Sequence, residues 1–192
     1  MHLKHLSDRM MAHQGVPMTL FNRNISVEVN EEGELLRLIG RLEDTRAGGP
    51  LHGIVVEMVI TAWDGGIREI IGTMPTHPME DCLPGLESLQ LLVGHQIKPG
   101  FSELVKTTVG SNVGCTHLAS LLMNMGNVSV LGRYSFMREH VTDEGQRARV
   151  MLKTADSLNL VDSCVCWKED GPLVKRWRAE QEGKITGPPP EY

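Results

Sequence analysis

The sequence predicts an α+β fold: an antiparallel four-stranded sheet with helices packed on one face, and a C-terminal hairpin appended. Strand-like alternation of apolar and polar residues runs from Ile25 to Met74, and helical spacing takes over beyond about position 80. Strands first and helices afterwards give a sheet covered by helices rather than an interleaved α/β layer. Turn-forming residues separate the successive segments.

Residues 1–22, with weak periodicity, are expected as a flexible leader. The stretch Ile25 to Val29 alternates as a half-buried strand does. Asn30-Glu31-Glu32-Gly33 follows as a hairpin turn, with Gly33 able to take φ > 0. Leu35 to Leu42 reads as the return strand, and Asp44 to Pro50 (DTRAGGP) as a mobile loop. His52 to Thr61 is rich in Val and Ile and makes the strongest strand signal. Trp63-Asp64-Gly65-Gly66 turns it into another strand, Ile67 to Met74, which Pro75 and Pro78 stop because proline cannot donate to the ladder.

Beyond that point Leu86, Leu89, Leu91 and Leu92 predict a short helix ending near Gly94, and Phe101 to Thr108 another. The longest helix runs from about Cys115 into the 130s, with Leu118, Leu121, Leu122 and Met125 as its apolar stripe. A second helical pattern covers about Gly145 to Leu158. Val161 to Trp167 and Leu173 to Trp177, around Glu169-Asp170-Gly171-Pro172, read as the C-terminal hairpin. Residues 181–192 are expected as a disordered tail, which leaves 23–180 as a single domain.

The bulk properties exclude several classes. With 192 residues and 41% hydrophobic content the chain can bury a real core. A formal charge of −5 and a pI near 5.9 argue against nucleic acid, which needs a basic face. No run approaches the roughly 18 apolar residues that cross a bilayer, so no membrane partner is expected. The N-terminus lacks the apolar core of a secretory signal. A cytoplasmic setting follows as the expectation, in which Cys82, Cys115, Cys164 and Cys166 are free, catalytic or metal-bound thiols rather than disulfides.

Cys115 and His117 are the strongest candidates for chemistry. Cys115 follows a glycine and opens the longest helix, where unpaired N–H groups and the macrodipole favour a thiolate. Cys-x-His alone does not complete a metal site, because a closed zinc site takes about four N or S donors and a catalytic one about three plus water. His52 starts the third strand, and Cys82 follows the end of the fourth. In an antiparallel pair those two points share one sheet edge, to which a covering helix can bring Cys115 and His117. Four such donors suit zinc or an iron–sulphur cluster. The alternative, in which these side chains are only core, stays open.

Weaker candidates surround this set. Cys164 and Cys166 alternate on the expected strand, and His77 is a possible substitute for Cys82. His95, after Gly94, reads as a helix-end cap, and His2, His5 and His13 fall in the leader. Glu57 and Glu69 are general bases only if they face a cleft. The chain holds no Gly-x-Ser-x-Gly elbow, phosphate loop or dinucleotide fingerprint.

The combination of Leu51-His52-Gly53, a hairpin ending in Pro78-x-x-x-Cys82, Leu92-Val93-Gly94, Pro99-Gly100 and Gly114-Cys115-Thr116-His117-Leu118 resembles a bacterial family known as a domain of unknown function, number 2889, over roughly residues 23–170. That family usually shows His-Asp-Met where this chain has His52-Gly53-Ile54, a departure that removes an acid able to serve as ligand or base. More remotely, the layout resembles the IscU/NifU iron–sulphur scaffold fold, where a ligand precedes a hairpin, a second follows it and a third stands at a later helix beside a His. His52, Cys82, Cys115 and His117 occupy comparable places. The first position there is a Cys closely followed by an Asp, so the resemblance implies a zinc or cluster site with a changed ligand set.

Two functions follow as expectations. One is a carrier or accessory module holding zinc or an iron–sulphur cluster through His52, Cys82, Cys115 and His117, served by a metal- or cluster-donating protein. The other is an enzyme acting on a small molecule by lyase, hydrolase or isomerase chemistry. In that case Cys115 is nucleophile or ligand, and His117 or His52 the general base.

Overall fold

Four strands pair in sequence order into one antiparallel sheet: β1 (Phe21–Glu32), β2 (Leu35–Arg46), β3 (Gly49–Thr61) and β4 (Ile67–Thr76). The protein is described from a computed structural model covering residues 19–157 and 160–184. The leader expected for 1–22 and the tail expected for 181–192 therefore lie outside the described residues except at 19–22 and 181–184. Phe21 and Asn22 already belong to β1, and Gln181 to the last helix.

The alternation read from the sequence sets the two faces of the sheet. Leu36, Leu38 and Leu42 of β2 and Ile54, Val56, Met58 and Ile60 of β3 are buried on the inner face, joined by Ile67, Ile70 and Met74 of β4. The outer face carries the ion pairs of Arg37 with Glu32 and Glu57 and of Arg41 with Glu28. Such exposed pairs contribute at most about 1 kcal/mol each, so the sheet is held by its inner face.

The expected loop from Asp44 to Pro50 is a correction. β2 continues to Arg46 and β3 begins at Gly49, leaving a turn of two residues. Ala47 and Gly48 both have positive φ, 49° and 83°, as the tight hairpin turn requires. The polar, glycine-rich composition hides strand ends, because the inward row there is no longer apolar.

A 3-10 segment, Glu80–Leu92, follows the sheet. Helices α1 (Phe101–Thr108), α2 (Thr116–His140), α3 (Glu144–Ser157) and α4 (Pro172–Gln181) complete the described chain. The sheet packs its inner face against α2, whose Leu118, Leu121, Leu122 and Met125 are buried. Gly40 permits this approach, since a Cβ there would stand 2.5 Å from Met125 Sδ. At the far end of α2 the buried Arg133 donates to the carbonyls of Ala62 at 3.1 Å and Trp63 at 2.7 Å. It also reaches that of Ile97 at 3.5 Å, pinning the β3–β4 turn to the helix. No described helix is long and apolar enough to cross a membrane.

The C-terminal hairpin is not formed. Val165–Trp167 make one 3-10 turn and Pro172–Gln181 form α4. The alternation of that stretch misleads because its buried residues, Val174 and Trp177, are three apart, the helical spacing. Pro172 after Gly171 is a helix start. Trp177 packs edge-on to Trp167, with ring centroids 5.3 Å apart. Cys164 and Cys166 thus sit in no strand, and both are exposed.

Candidate functional site

Register places the site at the end of the core. Ile25, Leu42 and Ile54 are cross-strand partners on the inner face of β1, β2 and β3. Two residues further along each strand, on that same face, the next row is Arg23, Asp44 and His52, also partners. The apolar layer therefore gives way to an ionic chain. Arg23 donates from Nε and Nη2 to the two oxygens of Asp44, 2.7 Å each, a bidentate pair. His52 Nδ1 lies 2.9 Å from Asp44 Oδ2.

Asp44 is 1% exposed, yet its carboxyl is held below the usual range. The Arg23 guanidinium is the main cause and the His52 bond adds to it, against the opposing effect of burial. An ionised carboxylate only accepts hydrogen bonds, so His52 must carry its proton on Nδ1. The Nε2 lone pair is then free, the second-sphere arrangement by which proteins orient a ligating imidazole.

The other half comes from the opening of α2. Gly114 is required there, since a Cβ would stand 2.2 Å from Val109 O, and the Cys115 N–H donates to that same carbonyl at 2.8 Å. Cys115 then caps α2, and His117 is its second residue. The His117 ring stacks on that of His52 with centroids 3.9 Å apart and planes tilted by 32°. Its Nδ1 lies 3.7 Å from Cys115 Sγ. Burial lowers the His117 pKa, helped by His52, which repels a second imidazolium whenever it is itself protonated, and by Arg23, and opposed by Asp44. A neutral His117 at neutral pH keeps a lone pair for a cation.

Three of the four residues expected as ligands, His52, Cys115 and His117, are thus brought together. One ligand atom each from Asp44, His52 and His117 falls within 4.8 Å of the others. Cys82 is half-buried in the 3-10 segment and, like Cys115, lies outside that tightest group. His77 is committed locally, its Nδ1 to Met74 O at 2.9 Å and its Nε2 3.5 Å from Glu80. His95 is exposed, and its backbone N–H bonds Leu92 O after the left-handed Gly94. Glu57 pairs with Arg37 and Glu69 is exposed on β4. His2, His5 and His13 lie outside the described residues.

Sequence reasoning missed Asp44 and Arg23. Strand parity would have found both: Asp44 continues the inward series Leu36, Leu38, Leu42, and Arg23 continues Val29, Val27, Ile25. A cleft of about 440 Å³ lies at the other end of the sheet, between Asp64, Arg68, His95, Lys98 and the start of α1. None of the residues expected as ligands lines it.

Comparison with known proteins adds a family and no activity. The family described as "Protein of unknown function (DUF2889)" matches residues 21–131, more than half of the chain. No curated protein and no solved structure matches it.

Proposed function

The chain belongs to the DUF2889 family, and we propose that it is a metal-binding member, with a divalent ion, zinc, held by His52, His117 and Cys115. The observation that carries this reading is the buried Asp44 carboxylate. Clamped by Arg23, it takes up the Nδ1 edge of His52 and leaves Nε2 outside that bond, on a ring stacked against a second imidazole that has a thiol beside it. Asp44 itself has both oxygens committed and serves as the outer-sphere acid.

Two imidazoles and a thiolate are borderline-soft donors that suit zinc. An iron–sulphur cluster draws mainly on thiolates. An IscU/NifU-like layout belongs to the same proposal, since a donor stands at the start of a hairpin strand and two more at the opening of a later helix. Three protein donors leave a fourth position. Water there makes the catalytic pattern, and a fourth protein donor the closed pattern of a binding or accessory module.

Metal analysis of protein purified with zinc supplied tests the reading. One zinc per chain is expected, lost in His52→Ala and in His117→Ala. Metal at background in the wild type, or equal metal in wild type and both variants, overturns it. Iron with acid-labile sulphide in place of zinc would reassign the centre to a cluster.

A further inference from the structure

We infer that Cys82 is the fourth donor, so that the centre closes as a site of two thiolates and two imidazoles with no position left for water. This rests on the metal-binding reading above and adds to it the identity of the last ligand.

The geometry of the 3-10 segment points to Cys82. A 3-10 helix has three residues per turn, so side chains at i and i+3 eclipse. Burial along Glu80–Leu92 follows that period: Asp81, Pro84, Glu87 and Gln90 are exposed, while the columns Cys82, Gly85, Ser88 and Leu83, Leu86, Leu89 face inward. The first of these columns runs along the approach to α2. A Cβ on Gly114 would lie 2.8 Å from Ser88 Oγ, and a Cβ on Gly85 3.4 Å from the Cβ of Cys115. Ser88 thus stands beside Gly114, and Gly85 beside Gly114 and Cys115. One further turn, about 6 Å at the 3-10 rise, carries the column past Cys115 and sets Cys82 on the same side. Gly85 has no side chain to crowd Cys115.

The sheet approaches the same point. Gly53 pairs with Thr76 at the end of β4, so the chain leaves the sheet beside His52 and reaches Cys82 six residues after Thr76. His77, the other donor on that path, is tied to Met74 and Glu80. Charge agrees with this placement. A divalent ion with two neutral imidazoles and one thiolate keeps one positive charge, which a half-buried place disfavours. A second thiolate makes the centre neutral, and Arg23 and Asp44 already cancel one another. Each thiol gives up its proton as it binds, so two protons leave for one zinc.

The test uses the wild-type chain, without and with zinc, labelled by iodoacetamide and read peptide by peptide in a mass spectrometer. Zinc is expected to slow alkylation of both Cys82 and Cys115 about tenfold or more, since a coordinated thiolate is a poor nucleophile, while the exposed Cys164 and Cys166 react at unchanged rates. Protection of Cys115 without Cys82 overturns this inference and leaves the metal-binding reading standing. No zinc bound by the wild type overturns both. Cobalt absorption gives a second measure: Cys82→Ser should lose about half of the thiolate-to-cobalt band per bound ion, as expected for one of two thiolates. A full band in Cys82→Ser refutes the assignment.

Discussion

Replacing Asp44 by asparagine removes a charge and leaves the shape of the side chain almost unaltered. The carboxylate accepts two bonds from Arg23 and one from His52, and an amide offers one acceptor oxygen and presents an NH2 group to at least one donor. Losing the partner of a fully buried ion pair costs about 3–5 kcal/mol. Arg23, however, is 32% exposed at its side chain, so water resolvates much of its charge and about 2 kcal/mol is the better figure. For a chain of this size that lowers Tm by about 4–8 °C. Zinc affinity should fall separately. His52 loses the acceptor that fixes its tautomer, and outer-sphere losses of this kind cost about 10–100-fold in affinity, or about 1.4–2.7 kcal/mol. Urea unfolding of metal-free protein reads the first effect, and competition with a chromophoric chelator the second. If Asp44→Asn loses the expected stability yet binds zinc as tightly as the wild type, the carboxylate is structural only and its role in orienting His52 is refuted.

Three further outcomes are expected. Arg133→Met leaves the carbonyls of Ala62, Trp63 and Ile97 without their buried donor and should cost about 3 kcal/mol, with zinc content unchanged; urea unfolding and metal analysis check both parts. Gly40→Ala drives a Cβ to 2.5 Å from Met125 Sδ and should destabilise by about 1–3 kcal/mol as overpacking, which thermal unfolding reads. The Asp64 carboxyl is held low by the Thr61 hydroxyl, then by the Gly66 N–H and Gln96, against a little burial. Its stabilisation is therefore complete above the unfolded carboxylate range near about pH 4 and fades as pH falls through the lower folded value. Asp64→Asn should flatten the acid limb of a stability-versus-pH curve for metal-free protein, and an unchanged limb would count against that contribution.

Much of the fold was legible because a half-buried strand writes its register into the sequence. Leu36, Leu38 and Leu42 against Arg37 and Arg41 predict both the strand and its faces, and the helix of Leu118, Leu121, Leu122 and Met125 is equally plain. Legibility failed where the inward row turned polar. Asp44 continues the parity of Leu42 but lies in a stretch that reads as a loop, so the acid behind His52 went unseen. At the other end of the chain Val174 and Trp177 were read with period two, although their spacing of three and the preceding Gly171-Pro172 indicate a helix. Of the site itself, Cys115 and His117 were visible as a motif. His52 and the proposed donor Cys82 are reached only through topology, since nothing local distinguishes a candidate ligand from a core residue at a strand or turn.

Two successive hairpins bring Arg23, Asp44 and His52 together, so half of the centre arises from contacts between neighbours in the chain, while His117 and Cys115 arrive only when α2 docks. Contacts between near neighbours close small loops and form early, and those between distant segments carry the larger loop-closure entropy. An ion bound as proposed, shared between the halves, would act as a cross-link, removing conformations from the unfolded chain much as a covalent bridge does. Metal loading should then be felt most by the seam between sheet and helix, where amide exchange would slow more than within either hairpin.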